Sequence, residues 1–235
     1  MNLFILPHAA RMTVCADVDE LAAAAAQRIA ELIEDTLAAQ EVCNIALAGG
    51  DTPHRCYRLL REMSLPWTRI HFYFDDERCL PIGDSKRNDT MARDSLLSSV
   101  PAANIHAIPA ELGSAVAAAL YAQEMASAGA LDLVLLGLGE DGHTASLFPG
   151  NAALQAAGPV VAVSGAPKLP PERVSLSLSA LNAARHKLFL VAGSAKRDAL
   201  KGIAQGADLP AARVLQAEWY LDRNATLGFE MLPCE

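Results

Sequence analysis

Leu21, Ala25, Ile29, Leu32, Ile33 and Leu37 recur at helical spacing, with Glu31, Glu34 and Asp35 mostly on the other side. That period predicts a long amphipathic helix over Asp17 to Ala39. The pattern then changes. Asn44 to Ala48 is a short apolar run closed by Gly49-Gly50, as expected of a buried strand. Thr52-Pro53 reads as an N-cap followed by proline at the first helical position, opening a helix through Tyr57, Leu59 and Leu60. The alternation repeats. Ile70 to Phe74 predicts a strand, Asp89 to Ser99 a helix, Ile105 to Ile108 a short strand and Ser114 to Ser127 an Ala-rich helix. Leu131 to Leu136 is the clearest strand and ends at Gly137-Leu138-Gly139. Further strands are expected at Val160 to Val163, Arg173 to Leu178, Leu188 to Val191 and Trp219 to Leu221, with Ser194 capping a helix over Ala195 to Ala204.

Strands alternating with helices predict an α/β fold with a mainly parallel open sheet and helices on both faces. No repeat or low-complexity linker interrupts the chain. Gly158 to Pro171 is the most loop-like stretch, but apolar Val160 to Val163 lies inside it. A single domain over residues 1–235 is the expectation.

Hydrophobic residues make up 52% and charged residues 20% of the chain, which excludes a disordered chain. A formal net charge of -8 argues against nucleic acid as a partner. It leaves room for a small anionic ligand, because a few local Arg and Lys residues can hold a phosphate. Cys15, Cys43, Cys56, Cys79 and Cys234 form no C-x-x-C pair, so neither a zinc site nor a disulfide framework is expected. The apolar run Leu3 to Leu6 lacks a preceding basic region, and Leu21 to Ala26 is too short to span a bilayer. These features predict a cytoplasmic protein with no membrane association and no obligatory protein partner.

The unusual residues gather at predicted strand ends, where open α/β sheets bind ligands. They are Gly49-Gly50-Asp51-Thr52, Asp75-Asp76-Glu77-Arg78, Gly139-Glu140-Asp141-Gly142-His143-Thr144 and Gly193-Ser194-Ala195-Lys196. Their equivalent placement predicts one shared cleft. The first offers backbone N–H groups at a helix N-terminus, an anion site, although a tight turn alone would also call for glycine. Arg173 and Lys196 are possible cationic partners for that anion. The acids of the second cluster read either as an exposed loop or as groups that orient a base or a substrate hydroxyl, with Arg78 facing a negative or polarised group.

Gly137 to Gly142 matches G-x-G-x-x-G after a strand. Asp141 would sit near a pyrophosphate, and no acid follows about 20 residues later to bind a ribose, so a dinucleotide cofactor is not expected. His143 beside Asp141 is better read as an acid–base pair. No His shows metal-ligand spacing and no Ser lies in a G-x-S-x-G elbow.

Several blocks carry a family resemblance. Gly-Gly-Asp-Thr-Pro at 49–53, Asp-Glu-Arg-Cys-Leu-Pro at 76–81 and Leu-Gly-Leu-Gly-Glu-Asp-Gly-His-Thr-Ala-Ser-Leu-Phe-Pro-Gly at 136–150 resemble the 6-phosphogluconolactonases. So do Glu-Arg-Val-Ser-Leu-Ser at 172–177, Gly-Ser-Ala-Lys at 193–196 and Trp-Tyr-Leu-Asp-Arg at 219–223. The resemblance implies hydrolysis of a sugar-phosphate lactone in the oxidative pentose phosphate pathway, without metal or cofactor, on a fold shared with glucosamine-6-phosphate deaminase. It implies that His143 activates water, with Asp141 stabilising the imidazolium. Gly49, Gly50, Asp51, Thr52, Arg173 and Lys196 would surround the phosphate. Arg78 would face the lactone, Asp76 and Glu77 would build that end, and Asn88 and Gly139 would contact substrate. Many members carry Ser-Asn where this chain has Arg87-Asn88, and Ser where it has Asp51. The serine role is therefore not carried over, and at 51 the backbone N–H is the expected phosphate donor. The deaminases place a Glu where this chain has Phe148, which cannot transfer protons. Besides that rival, a non-catalytic sugar-phosphate sensor would share the same clusters.

Overall fold

The computed structural model describes residues 3, 4 and 6–231. Its elements in chain order are β1 (Leu3–Phe4), β2 (Ala9–Cys15), α1 (Val18–Ala39), β3 (Cys43–Leu47), α2 (Asp51–Arg61), β4 (Ile70–Phe74), β5 (Asp76–Arg78), α3 (Asn88–Ser95) and α4 (Ser114–Ala128). They continue with β6 (Leu133–Leu136), β7 (Val160–Val163), β8 (Arg173–Leu176), α5 (Leu178–Ala183), β9 (His186–Val191), α6 (Arg197–Ala204), β10 (Ala217–Asp222), α7 (Arg223–Thr226) and β11 (Glu230–Met231).

The main sheet has six strands in the order β2-β10-β9-β6-β3-β4, and every pair in it is parallel. Strands β3, β6 and β10 are buried along their whole length, as a sheet covered on both faces requires. The connection β3–α2–β4 runs toward one edge and β9–α6–β10 toward the other. Right-handed crossovers therefore put α2 and α6 on opposite faces. Helix α1 buries Leu21, Ala25, Ile29, Ile33 and Leu37, and the Asp17 side chain caps it by accepting from the N–H groups of Asp19 and Glu20. A second sheet, β5-β8-β7, is antiparallel, so the fold is parallel only in its main layer.

The structure corrects several boundaries. Helix α2 starts at Asp51, with Gly50 at φ 110° as its cap and no side-chain cap bond, so Thr52 lies inside the first turn. Ile105 to Ile108 forms no strand beyond a single bridge from Ile105 to Phe72. Ser194 to Lys196 is a 3-10 turn that precedes α6. The acidic stretch is not an exposed loop: Asp75 is 2%, Asp76 6% and Glu77 0% exposed, because β5 pairs with β8.

Neighbouring strands β3 and β6 lead to opposite edges of the sheet. Their carboxyl ends thus form a topological switch point, where a crevice opens.

Candidate active site

That crevice is a cleft of about 410 Å³. All four polar clusters reach it. Gly49 and Gly50 line it after β3, Asp75, Asp76 and Arg78 after β4, Gly139 and His143 after β6, and Lys196 after β9. Arg173 joins them from β8. The remaining expected residues are not part of its lining. Asp51 is exposed in the first turn of α2, beside the half-buried Thr52. Neither is part of the cleft lining, nor are Glu77, Asn88 and Asp141.

His143 Nδ1 lies 2.5 Å from Asp141 Oδ1, and the His143 backbone N–H donates to the same oxygen at 3.2 Å. An ionised Asp141 therefore holds the proton on Nδ1 and leaves Nε2 as the basic nitrogen. The ring rests on Phe148, with centroids 4.4 Å apart. Burial pushes the His143 imidazole below its ordinary value, opposed by the hydrogen bond and charge of Asp141. Burial raises the Asp141 carboxyl, but its bonds to His143 outweigh that and bring it below its usual range. Gly139 leaves the room for this pair: a Cβ there would stand 1.9 Å from His143 Nδ1.

Glu77 has a structural task. Its carboxylate accepts from the N–H groups of Arg78, Asn88 and Asp89, each at 2.8 Å. It thereby closes the N-terminus of α3, where a negative charge is favoured. Burial pushes it up to about 7, against those three donors. Asn88 works from the same place. Its Nδ2 donates to Asp76 Oδ1 at 2.6 Å and to the Asp76 carbonyl at 2.9 Å. Ser146 Oγ donates to Asp76 Oδ2, so both oxygens of Asp76 are engaged. Asn88 can approach because position 49 is glycine, whose Cβ would stand 1.9 Å from Asn88 Oδ1.

The cations are concentrated. Arg78, Lys86, Lys168, Arg173 and Lys196 all line the cleft. Arg78 and Arg173 are cross-strand partners in β5–β8. Like charges directly opposite one another repel, so an anion between them would be favoured. Arg173 donates from Nε to the Pro170 carbonyl and from Nη2 to the Lys168 carbonyl, and its guanidinium carbon sits 5.5 Å from the Phe148 ring centre. Two of its donors thus hold the 168–170 segment against the cleft. Burial lowers Lys196 from its ordinary value, with Glu140 pulling it back up. The N-terminus of α2 adds backbone donors at Gly50.

Sequence reasoning did not single out Lys86, Lys168, Ser146 or the buried Arg87 guanidinium, which donates to Asp89 at 2.8 Å and to Glu111 at 3.0 Å. Lys86 and Lys168 carried no motif signal. Arg87 stood out only as a departure from the family pattern.

A family model described as glucosamine-6-phosphate isomerases/6-phosphogluconolactonase matches residues 16–221. The chain belongs to this family. It is 35% identical over 239 residues to a 6-phosphogluconolactonase of Mycobacterium leprae, covering 92% of this chain and 97% of the relative. The fold of this family member also matches the crystal structure of 6-phosphogluconolactonase from Thermotoga maritima, with a TM-score of 0.85 and 30% identity over 90% of this chain and 99% of that one. A monomeric glucosamine-6-phosphate deaminase has the same fold, with a TM-score of 0.78 at 21% identity, covering 92% and 98% of the two chains. Where the deaminases are expected to carry Glu, this chain has Phe148, buried beneath His143.

Among the described residues no group of three or more His, Cys, Asp or Glu side chains is placed to hold a metal ion. No helix among them is long and apolar enough to cross a membrane.

Proposed function

We propose that this protein hydrolyses 6-phospho-D-glucono-1,5-lactone to 6-phospho-D-gluconate, the lactone-opening step of the pentose phosphate pathway, with His143 as general base. The observation that carries the reading is the placement of His143. Its Nδ1 is tied to Asp141, and it shares one cleft with the glycine turn at the α2 N-terminus and five cationic side chains. Family membership and relatives named for this activity support the same conclusion.

In this reading the phosphate sits against the Gly49-Gly50 turn and Lys196, and its binding energy orients the distant C1 carbonyl. His143 Nε2 takes a proton from water as the oxygen attacks C1. Asp141 stabilises the imidazolium that forms. Arg78 offers a positive charge to the carbonyl oxygen as negative charge grows there. When the tetrahedral intermediate collapses, the C1–ring oxygen bond breaks and the imidazolium returns its proton to the leaving oxygen.

The test is lactone hydrolysis by wild type and His143→Ala, with the uncatalysed opening subtracted and folding checked. Turnover by the variant is expected to fall by about two to four powers of ten. Turnover equal to wild type would remove His143 from the chemistry, and ammonia release from glucosamine 6-phosphate would redirect the assignment.

A further inference from the structure

Asp75 lines the cleft, yet nothing in the mechanism uses it. The residue is 2% exposed, and its Oδ1 is buried without a hydrogen-bond partner among the described residues. Its backbone is fully engaged: the N–H donates to the Leu47 carbonyl and the carbonyl accepts from Leu176 N–H. The main chain between β4 and β5 therefore fixes where this carboxyl sits. Three residues on, Arg78 also lines the cleft, and its Nε is buried and unpartnered as well, although Nη1 donates to the Lys86 carbonyl. Asp76 bonds to the Asp75 carboxyl, and its own oxygens accept from Asn88 and Ser146, yet Asp75 Oδ1 is still left without a partner.

Two complementary groups thus lack partners in one wall: a buried acceptor on Asp75 and a buried donor on Arg78. Leaving either unmade is costly, so such orphans in a ligand cleft call for a ligand group that serves them. A phosphate or a carboxylate could accept from Arg78 but would be repelled by the acids. A hydroxyl can donate to the carboxyl and accept from the guanidinium at once.

We propose that Asp75 is a substrate-binding residue that, together with Arg78, holds one ring hydroxyl of the sugar lactone. The inference rests on the lactonase reading and adds a source of selectivity among sugar phosphates. Burial, with the neighbouring charge of Asp76, pushes the Asp75 carboxyl well above its usual range. In its neutral form it donates as well as accepts, which suits a hydroxyl partner of either polarity. A site that pairs a substrate hydroxyl rejects an analogue lacking it, because its own buried groups are then left unpaired.

The experiment compares wild type, Asp75→Ala and Asp75→Asn on 6-phosphogluconolactone and on its 2-, 3- and 4-deoxy counterparts. On the parent lactone Asp75→Ala is expected to lower kcat/KM by about tenfold to a hundredfold, as loss of a buried hydrogen bond entails. Most of that loss should lie in KM, and Asp75→Asn, which keeps an acceptor and a donor, should recover most of it. For one deoxy lactone the Ala and wild-type enzymes should become alike. An equal penalty on the parent and all three deoxy lactones overturns the inference while leaving the lactonase reading intact. No turnover by wild type overturns that reading itself. A crystal structure of the wild type with 6-phosphogluconate needs no variant. A sugar hydroxyl within hydrogen-bonding distance of the Asp75 carboxyl upholds the proposal, and a filled cleft with no sugar oxygen near that carboxyl overturns it.

Discussion

His143 and Asp141 are two positions apart, and their contact is made within one turn after β6. Such local pairs are legible in a sequence because the chain has little freedom to separate them. Residues whose partners come from elsewhere are not. Nothing in Asp75 to Arg78 reveals that the first three are buried, since the strand that covers them arrives about a hundred residues later, at β8. The dyad also makes a prediction about pH. Burial holds its imidazole below the ordinary histidine value, which favours the basic form at neutral pH. The kcat/KM profile should therefore fall on the acid side with an inflection below that value. Asp141 pulls the imidazole upward, so Asp141→Asn should move this limb to still lower pH as well as slow the reaction. A limb that stays in place in the variant would belong to the substrate phosphate instead.

Elements were legible where apolar periodicity was strong. Helix α1 and strands β3, β4 and β6 fall within two residues of their expected bounds, because each owes its formation to a buried stripe or an unbroken apolar run. Strand β5 was hidden, since three charged residues show no alternation. Ile105 to Ile108 misled in the opposite sense: apolar residues there pack beside β4 without continuing the sheet. The α3 region depends on Arg87, which is fully buried. Its guanidinium donates to Asp89, to Glu111 and to the carbonyls of Leu80 and Ile108, and lies 3.8 Å from Glu77. It joins the loop after β5, the start of α3 and the loop before α4. Arg87→Ala would leave the buried Glu77 without its cation and Asp89 with only Arg93, 4.0 Å away. A loss of about 3–5 kcal/mol is expected, read from denaturant unfolding. Turnover should fall with it, because the Asn88–Asp76 contact starts from the same turn.

For the molecule as a whole, charge is unevenly spread. The chain carries a net -8, while five cationic side chains converge on one cleft. The field in that crevice should draw a phosphorylated substrate in and hold it, and mobile ions should screen the attraction. The kcat/KM for the lactone is therefore expected to fall as ionic strength rises from low to physiological. Lys196→Ala should raise KM, with kcat less affected. Both follow from initial rates in a salt series at fixed pH; a flat series would mean that short contacts alone secure the phosphate.

The wall of the crevice is drawn from residues 48–50, 75–86, 137–145, 168–173 and 196. A backbone cut in the exposed stretch around Gly158 would strand the imidazole on one piece and the Lys196 ammonium on the other. Neither piece could turn over lactone unaided, so recovery of activity on mixing would report that the two halves of the chain had found each other.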